Sequence, residues 1–501
     1  MVLRTARAVD RDFGDVVRLR VIALFACVLM LNSADAGTVG AVATQLERSL
    51  QISNAELGLI AAVAALAGAL GTIPVGMLTD RVHRVHLLAG SIVLWSAAML
   101  GSAFAPSFLV LVLTRVMLGA VTATAGPTLA SLTGDFFPAR ERAKVWGMIL
   151  TGELVGAGIG VVVSGDLASA LSWRYGFGWL ALPGIVLAAA IWKFLVEPAR
   201  GGRSRLEPGA QQLLDAKRAH CDAARALERP GEEVEHDHEL ARNIVLDQGH
   251  QPHARLVLSE DPVRMSAWRA VKYVLSVRTN VIIMIASSFA YLFLAGLQTF
   301  AVELMRSRYH LDQPAASAVL LLGGVGALVG VVTAGRLADR LLRNGRPSAR
   351  VAVGGACFIA APLLFIPGLL SPWLILTVPL FVLAGGALAA PGSPLNAARL
   401  DIMHPRLWGR AEGVRTSLQM LAFAVAPLIF GLVSQLLAGG HGSRGFGATT
   451  SANGTALAHT FLIMLAPLAI GGVALLRARR SYPCDVATAV ASMKRTAEAA
   501  P

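Results

Sequence analysis

Twelve long apolar runs, parted by short charged loops, restrict what this chain can fold into more than any other feature of it. They cover residues 20–44, 56–79, 86–105, 108–134, 144–168, 177–196, 280–303, 315–338, 350–370, 373–398, 411–437 and 457–476. An apolar run of about 20 residues crosses the roughly 30 Å hydrocarbon core of a bilayer as a helix. Lipid offers no partner to open strand edges or bare loops, so each run is expected to be helical. Of the 501 residues 55% are hydrophobic and 15% charged, against about 25% charged in a soluble chain. The expected fold class is an all-α membrane protein with twelve transmembrane helices. Runs 350–370 and 373–398 are parted only by Ser371–Pro372, and a kinked hairpin is the alternative there, but together they are too long for one crossing.

Arginine placement orients the helices. Arg4, Arg7, Arg11, Arg18 and Arg20 precede the first run, Arg81 and Arg84 follow the second, and Arg140, Arg142 and Lys144 follow the fourth. Arg340, Arg343, Arg346 and Arg350 follow the eighth, Arg399, Arg406 and Arg410 the tenth, and Arg477, Arg479 and Arg480 the twelfth. The loops on the other side carry few. The positive-inside rule therefore places both termini in the cytoplasm, with the chain in the plasma (inner) membrane. The net charge of +13 is this bias, and no nucleic-acid partner is expected. The basic N-terminus leads into a run too long for a signal-peptide core, so no cleavable signal is expected. Cys27 and Cys357 lie in helices, Cys221 in the middle linker and Cys484 in the tail, which argues against a disulfide framework.

Between the sixth and seventh runs the composition turns polar. The expected organisation is a cytoplasmic N-terminus (1–19), a six-helix bundle (20–196), a cytoplasmic linker (197–279), a second six-helix bundle (280–476) and a cytoplasmic tail (477–501). Within the linker, 211–228 reads as a short amphipathic helix. Residues 261–278 read as a basic amphipathic helix on the membrane surface, or else as an extension of the seventh run. His236 and His238 in EHDHE have no further ligands at zinc-site spacing, so no metal is expected. Gly156, Gly158 and Gly160, like Gly323, Gly324 and Gly326, lie inside apolar runs rather than after a strand, and are read as close-packing faces. No GxxxxGK[ST] is present, and no cofactor is expected. The glycine-rich stretch 438–456 reads as an outer connector.

One charged loop occurs twice. GMLTDRVHR at 76–84 and GRLADRLLR at 335–343 share the frame G-x-L-x-D-R-x-x-R, each at the same place in its six-run half. With that repeat the chain resembles the major facilitator superfamily, whose signature loop between helices 2 and 3 has this frame and which carries a degenerate copy between helices 8 and 9. The resemblance implies two pseudo-symmetric bundles holding substrate between them near the midplane. Gly76 and Gly335 then let neighbouring helices approach closely. Asp80 is expected to face the N-terminus of the eleventh helix near 409–413, where the dipole and open N–H groups favour a carboxylate. Asp339 is expected to do the same at the start of the fifth. Arg84 is expected to pair with Asp135, and Arg81, Arg340 and Arg343 complete the gating motif.

Three ionisable residues lie inside the runs, where a charge costs at least about 2.5–3.5 kcal/mol at the centre. Asp35 and Arg115 fall at similar depth in the outer half and are expected to pair; Glu153 lies nearer the middle. Protonating Asp35 would release Arg115, which makes Asp35, Arg115 and Glu153 the candidates for proton coupling; a static salt bridge is the plainer alternative. Asn32, Thr122, Tyr291, Gln298 and Gln419 are the candidate cavity residues. The second half looks barer, so one charged and one apolar wall are expected, suiting an amphipathic substrate.

NSADAGTV at 32–39, TRVMLG and PTLASLTGDFFP in the fourth run, VGAGIG, and EPARG after the sixth are similar to the Spinster-like branch of the superfamily, which exports lysophospholipids and sphingoid phosphates. LDIMHPRLWGRA before the eleventh run is a looser match. By that resemblance Asp35 corresponds to the branch's protonation switch and Arg115 to its helix 4 arginine. The chain departs from the branch at Thr122, where the branch has a glutamate, and at Ala36, where it has an arginine; Glu153 is the candidate for the missing carboxylate. The expectation is a monomeric, proton-coupled secondary transporter that exports a lipid-like or amphipathic molecule, with the bilayer, the substrate and protons as its partners. The alternatives are a multidrug or small-metabolite carrier, whose cavity would show polar groups from both halves, and a non-transporting scaffold or sensor. No nucleophile–base pair points to an enzyme.

Overall fold

The computed structural model describes residues 16–52, 54–198, 240–260, 262, 265–311, 313–437 and 451–498. Twelve helices are long and apolar enough to span a membrane. The first half contains α1 (Val16–Ala41), α2 (Asn54–Thr79), α3 (Arg84–Ala103), α4 (Phe108–Phe136), α5 (Arg142–Ala170) and α6 (Trp173–Phe194). The second contains α7 (Arg278–Tyr309), α8 (Gln313–Arg343), α9 (Ala349–Leu370), α10 (Leu374–Asp401), α11 (Trp408–Leu437) and α12 (Ser451–Ala478). The chain is an integral, multi-pass membrane protein. The Ser371–Pro372 junction separates two helices. α1 and α7 start ahead of the expected 20 and 280, α12 runs past 476, and residues 451–456 are helical where a connector was expected; residues 438–450 lie outside the described residues.

Three spanning helices are interrupted, each at the residue four before a proline. α4 breaks at Ala123–Thr124 before Pro127, α6 at Trp179–Leu180 before Pro183, and α10 at Ala390–Pro391 before Pro394. A proline ring clashes with the carbonyl four residues back and removes the N–H that would bond it. The breaks in α4 and α10 occupy matching places in the two halves.

Helices α1 and α5 pack backbone to backbone. A Cβ on Gly152, Gly156 or Gly160 would collide with the carbonyls of Ala26, Met30 and Ala34. The close-packing face is thus the four-residue spacing 152–156–160, because positions i and i+4 share one side of a helix. Gly158, expected on that face, has nothing within 4 Å. In α8 the contact is made by Gly326 and Gly330 against α10, while Gly324 faces open space. Large apolar side chains such as Leu70, Leu182 and Ile375 point outward, as lipid-facing surface requires.

A small assembly covers the end that carries both described termini. A tail helix, Tyr482–Glu498, packs beside a linker helix, Leu240–Asp247. The His253 N–H donates to Thr488 Oγ1 (2.9 Å) and the Leu258 N–H to Ser492 Oγ (3.0 Å). A surface helix, Ala267–Ser276, is separated from α7 by extended Val277, so it is an element in its own right and not an extension of α7. The candidate helix 211–228, Cys221, His236 and His238 lie outside the described residues. Cys27, Cys357 and Cys484 are free.

Candidate functional site between the two halves

Two latches join the halves at the terminal end. Asp80 is buried at the end of α2; its Oδ1 accepts the Gly409 N–H in the first turn of α11 (3.2 Å), and its Oδ2 lies 3.2 Å from Arg410 Nε. That approach needs Gly76, where a Cβ would lie 2.6 Å from Gly409 O. The other half mirrors the arrangement. Asp339 on α8 accepts the Lys144 N–H in the first turn of α5 (2.8 Å), and a Cβ on Gly335 would lie 2.5 Å from Ala143 O. In each, a carboxylate from one half meets the open N–H groups and positive dipole end of a helix in the other. Ser393 Oγ donates to Ala143 O (2.9 Å), Ser417 Oγ to Ala69 O (2.6 Å), and Arg142 Nη1 lies 3.5 Å from Asp401 Oδ1.

Arg84 is fully buried. It bonds Asp135, Ser131 Oγ (2.9 Å), Pro198 O (2.8 Å) and Glu197 (2.8 Å), which ties α3, α4 and α6 together at the terminal end. Its counterpart in the second half is not Arg343. Arg343, Arg340 and Arg81 are exposed. α8 continues as a helix past Asp339 to Arg343, whereas α2 stops at Thr79, so the residue four after the aspartate points to solvent in the second copy. Arg350, at the start of α9, takes the role: it bonds Asp401 at the end of α10 and Asp339 (2.8 Å). Arg84–Asp135 and Arg350–Asp401 are both 51 residues apart, a spacing that was available in the sequence as a signal. The Tyr482 hydroxyl of the tail helix donates to Asp401 Oδ2 (2.8 Å), which no sequence pattern indicated.

Above the latches lies a charged cluster that sequence reasoning assigned only in part. Arg399 on α10 pairs with Glu412 on α11 (2.6 Å); Arg415 also binds Glu412 (3.1 Å from Nε) and donates to Gln419 Oε1 (2.7 Å). Tyr291 on α7 and Glu153 on α5 lie within electrostatic reach of Arg415, Glu153 without an ion pair to it among the described residues. The second half is therefore not bare. Arg399 and Glu412 sit near helix ends and read as loop charges in the sequence, but both are buried in the fold. Glu153 is on the other half's side of this cluster and does not join Asp35: Gly160, not Glu153, lies beside Ala34, which leaves Glu153 roughly 10 Å lower at 1.5 Å per residue.

Asp35 and Arg115 are paired (2.8 Å), and the guanidinium also covers the Phe177 ring at 4.4 Å. Arg115 is 1% exposed, with Nε and Nη2 lacking a hydrogen-bond partner among the described residues. This pair belongs to α1, α4 and α6 alone. Asn32 and Thr122 line a cavity of about 30 Å³ with Ser91 and Trp95, again within the first half rather than on the surface between halves. Gln298 is exposed, roughly 10 Å beyond Tyr291 along α7.

A family model described as Major Facilitator Superfamily matches residues 25–427. The chain belongs to the major facilitator superfamily. Members of that superfamily are transporters and not enzymes. Protein spinster homolog 1 of Rattus norvegicus is 31% identical over 190 residues, 37% of this chain and 36% of that protein. The hexuronate transporter of Bacillus subtilis (strain 168) is 26% identical over 168 residues, 34% of this chain and 40% of that one. The chain thus matches only about a third of the first of these relatives. A crystal structure of a bacterial homologue of the human lysosomal transporter Spinster, inward-facing and unoccupied, superposes with a TM-score of 0.56 at 18% identity, covering 94% of this chain and 98% of that one; that likeness concerns the fold. In this superfamily member the latch aspartates are carboxylates that cross between the halves, while Arg84–Asp135 and Arg350–Asp401 each tie helices within one half.

Proposed function

We propose that the chain is a proton-coupled secondary transporter that moves a lipid-like, amphipathic molecule by alternating access, with export as its direction. The observation that carries this reading is the pair of mirrored latches. Each is a set of short contacts that must be given up together when the terminal end opens, the two-arrangement element that rocking of one bundle against the other requires. With the termini in the cytoplasm, as arginine placement favours, the latched state faces outward, opposite to the inward-facing Spinster homologue.

Charge count supports proton coupling. Arg399 and Arg415 oppose Glu412 and Glu153, so the cluster is neutral with Glu153 ionised and carries +1 when Glu153 is protonated. Arg415, beside Tyr291 and Gln419, is the group offered to the substrate's head group, and a proton on Glu153 changes the charge that head group meets by one unit. Asp35 beside Arg115 offers a second exchangeable carboxylate.

A second reading has its own support. Glu153 from one half within electrostatic reach of Tyr291 and Arg415 from the other is the two-sided polar site expected of a small-metabolite carrier, and the hexuronate transporter is a relative. Proteoliposomes with an imposed pH gradient, given a labelled lysophospholipid or a labelled hexuronate, separate the two. Gradient-driven movement of the lysophospholipid, uncoupled by Asp35→Asn and Glu153→Gln, is the expected result. Movement of hexuronate alone selects the second reading, and full gradient-driven transport by both variants overturns the coupling role of these carboxylates.

A further inference from the structure

Outside the interface, a cavity of about 540 Å³ opens at the terminal end between the start of α7 and the end of α12. Its floor is apolar, formed by Ile282, Val473 and Leu476; its rim carries Arg278, Arg477, Arg479 and Arg480. All four arginines are exposed. The guanidinium groups of Arg477, Arg479 and Arg480 have no carboxylate partner among the described residues. Arg278 has one acid within electrostatic reach among them, buried Asp485, which His253 shares at 3.7 Å. Arginines that only set topology have no need to converge on one hollow.

We propose that this crevice binds an anionic phospholipid from the surrounding bilayer, its phosphate on the arginine rim and an acyl chain along the apolar floor. The floor distinguishes a lipid from a soluble anion: Val473 is exposed on the same face of α12 as Ile470 and Ile463, so the crevice is continuous with the lipid-facing surface. The surface helix Ala267–Ser276, which leads directly into Arg278, marks the level of the head groups. Trp268 is 76% exposed and shares a stripe with Lys272 and Leu275 at i, i+4 and i+7, the amphipathic pattern of an interfacial helix. The volume lies within the roughly 300–1,000 Å³ of small-molecule sites. Basic pockets between helices at this level take anionic head groups, each arginine contributing roughly fivefold in affinity.

The full-length protein in nanodiscs of phosphatidylcholine with or without phosphatidylglycerol tests this, read by native mass spectrometry for retained lipid and by the thermal midpoint. Wild type is expected to retain phosphatidylglycerol in preference to phosphatidylcholine. The Arg477→Gln/Arg479→Gln/Arg480→Gln variant is expected to bind it on the order of a hundredfold more weakly, and Arg340→Gln/Arg343→Gln/Arg346→Gln, which removes equal charge from the same face, to bind it as wild type does. Should the site variant not fold, Arg479→Gln alone is expected to weaken retention roughly fivefold. Three results overturn the proposal: no preference for phosphatidylglycerol in wild type, equal loss in the control variant, or displacement of the lipid by soluble glycerol 3-phosphate.

Discussion

Asp80→Asn isolates the charge in one latch. Asparagine keeps an oxygen to accept the Gly409 N–H, so the contact that is lost is the ionic one: the 3.2 Å approach to Arg410 Nε and the attraction to the start of α11. A hydrogen bond to a charged group is worth about 1.5–3 kcal/mol against about 1 kcal/mol for a neutral one, and a charge at a helix terminus contributes about 0.3–1 kcal/mol. The variant therefore weakens the latched state by about 1–3 kcal/mol, which at 1.4 kcal/mol per decade is roughly a fivefold to hundredfold shift towards the state open at the terminal end. Spin labels at His83→Cys and Arg406→Cys, both exposed and on opposite halves, report this by electron–electron distance measurement in nanodiscs. For that experiment Cys27, Cys221, Cys357 and Cys484 are first replaced by serine. The long-distance population should grow by that factor. An unchanged distribution, or a shift to shorter distances, would falsify the latch reasoning. Asp339→Asn should reproduce the effect from the other half.

Four further outcomes follow from named contacts. Arg350→Gln leaves Asp339 and Asp401 buried without their shared cation and should lower stability by about 3–5 kcal/mol, whereas exposed Arg343→Gln should change the thermal midpoint little; equal effects would restore Arg343 to the motif. Gly160→Ala forces a methyl into Ala34 O and should cost about 1–3 kcal/mol, while Gly158→Ala meets nothing within 4 Å and should be neutral; comparing their melting curves decides. Arg415→Gln should abolish substrate binding while leaving the latched distance distribution intact. Burial pushes the Asp485 carboxyl above its ordinary range, ahead of the opposing Thr279, His253 and Arg278 contacts. Its share of tail docking is thus present at low pH and lost as pH rises through the raised value; Asp485→Asn should increase hydrogen-exchange protection of 482–498 at neutral pH and flatten that dependence.

The parts of this protein that were legible in the sequence are those set by local chemistry. Hydrophobic length counts spans because the bilayer has a fixed thickness; the breaks in α4, α6 and α10 were not legible, since Pro74, Pro362, Pro367, Pro379, Pro427 and Pro467 sit inside helices that continue. Asp80 and Asp339 meet the helix starts expected of them, and Asp35 meets Arg115, because in each pair the depth along a helix can be counted from its end. Glu153 as the carboxylate missing at Thr122, and Arg343 as the second copy of Arg84, failed for a common reason. Neighbours along the chain do not reveal which side of a helix faces which partner.

Spans, the twofold repeat and the three charges inside the apolar runs, Asp35, Arg115 and Glu153, were determined by the sequence alone. Tertiary structure alone decided that Arg350 replaces Arg343, that Arg399 and Glu412 turn inward to meet Arg415, and that Glu153 looks across to the second half. A helix fixes the spacing of its side chains, but the rotation of that helix against its neighbours is set by contacts from residues tens to hundreds of positions away, such as the glycines at 152, 156 and 160 seated on the backbone of α1.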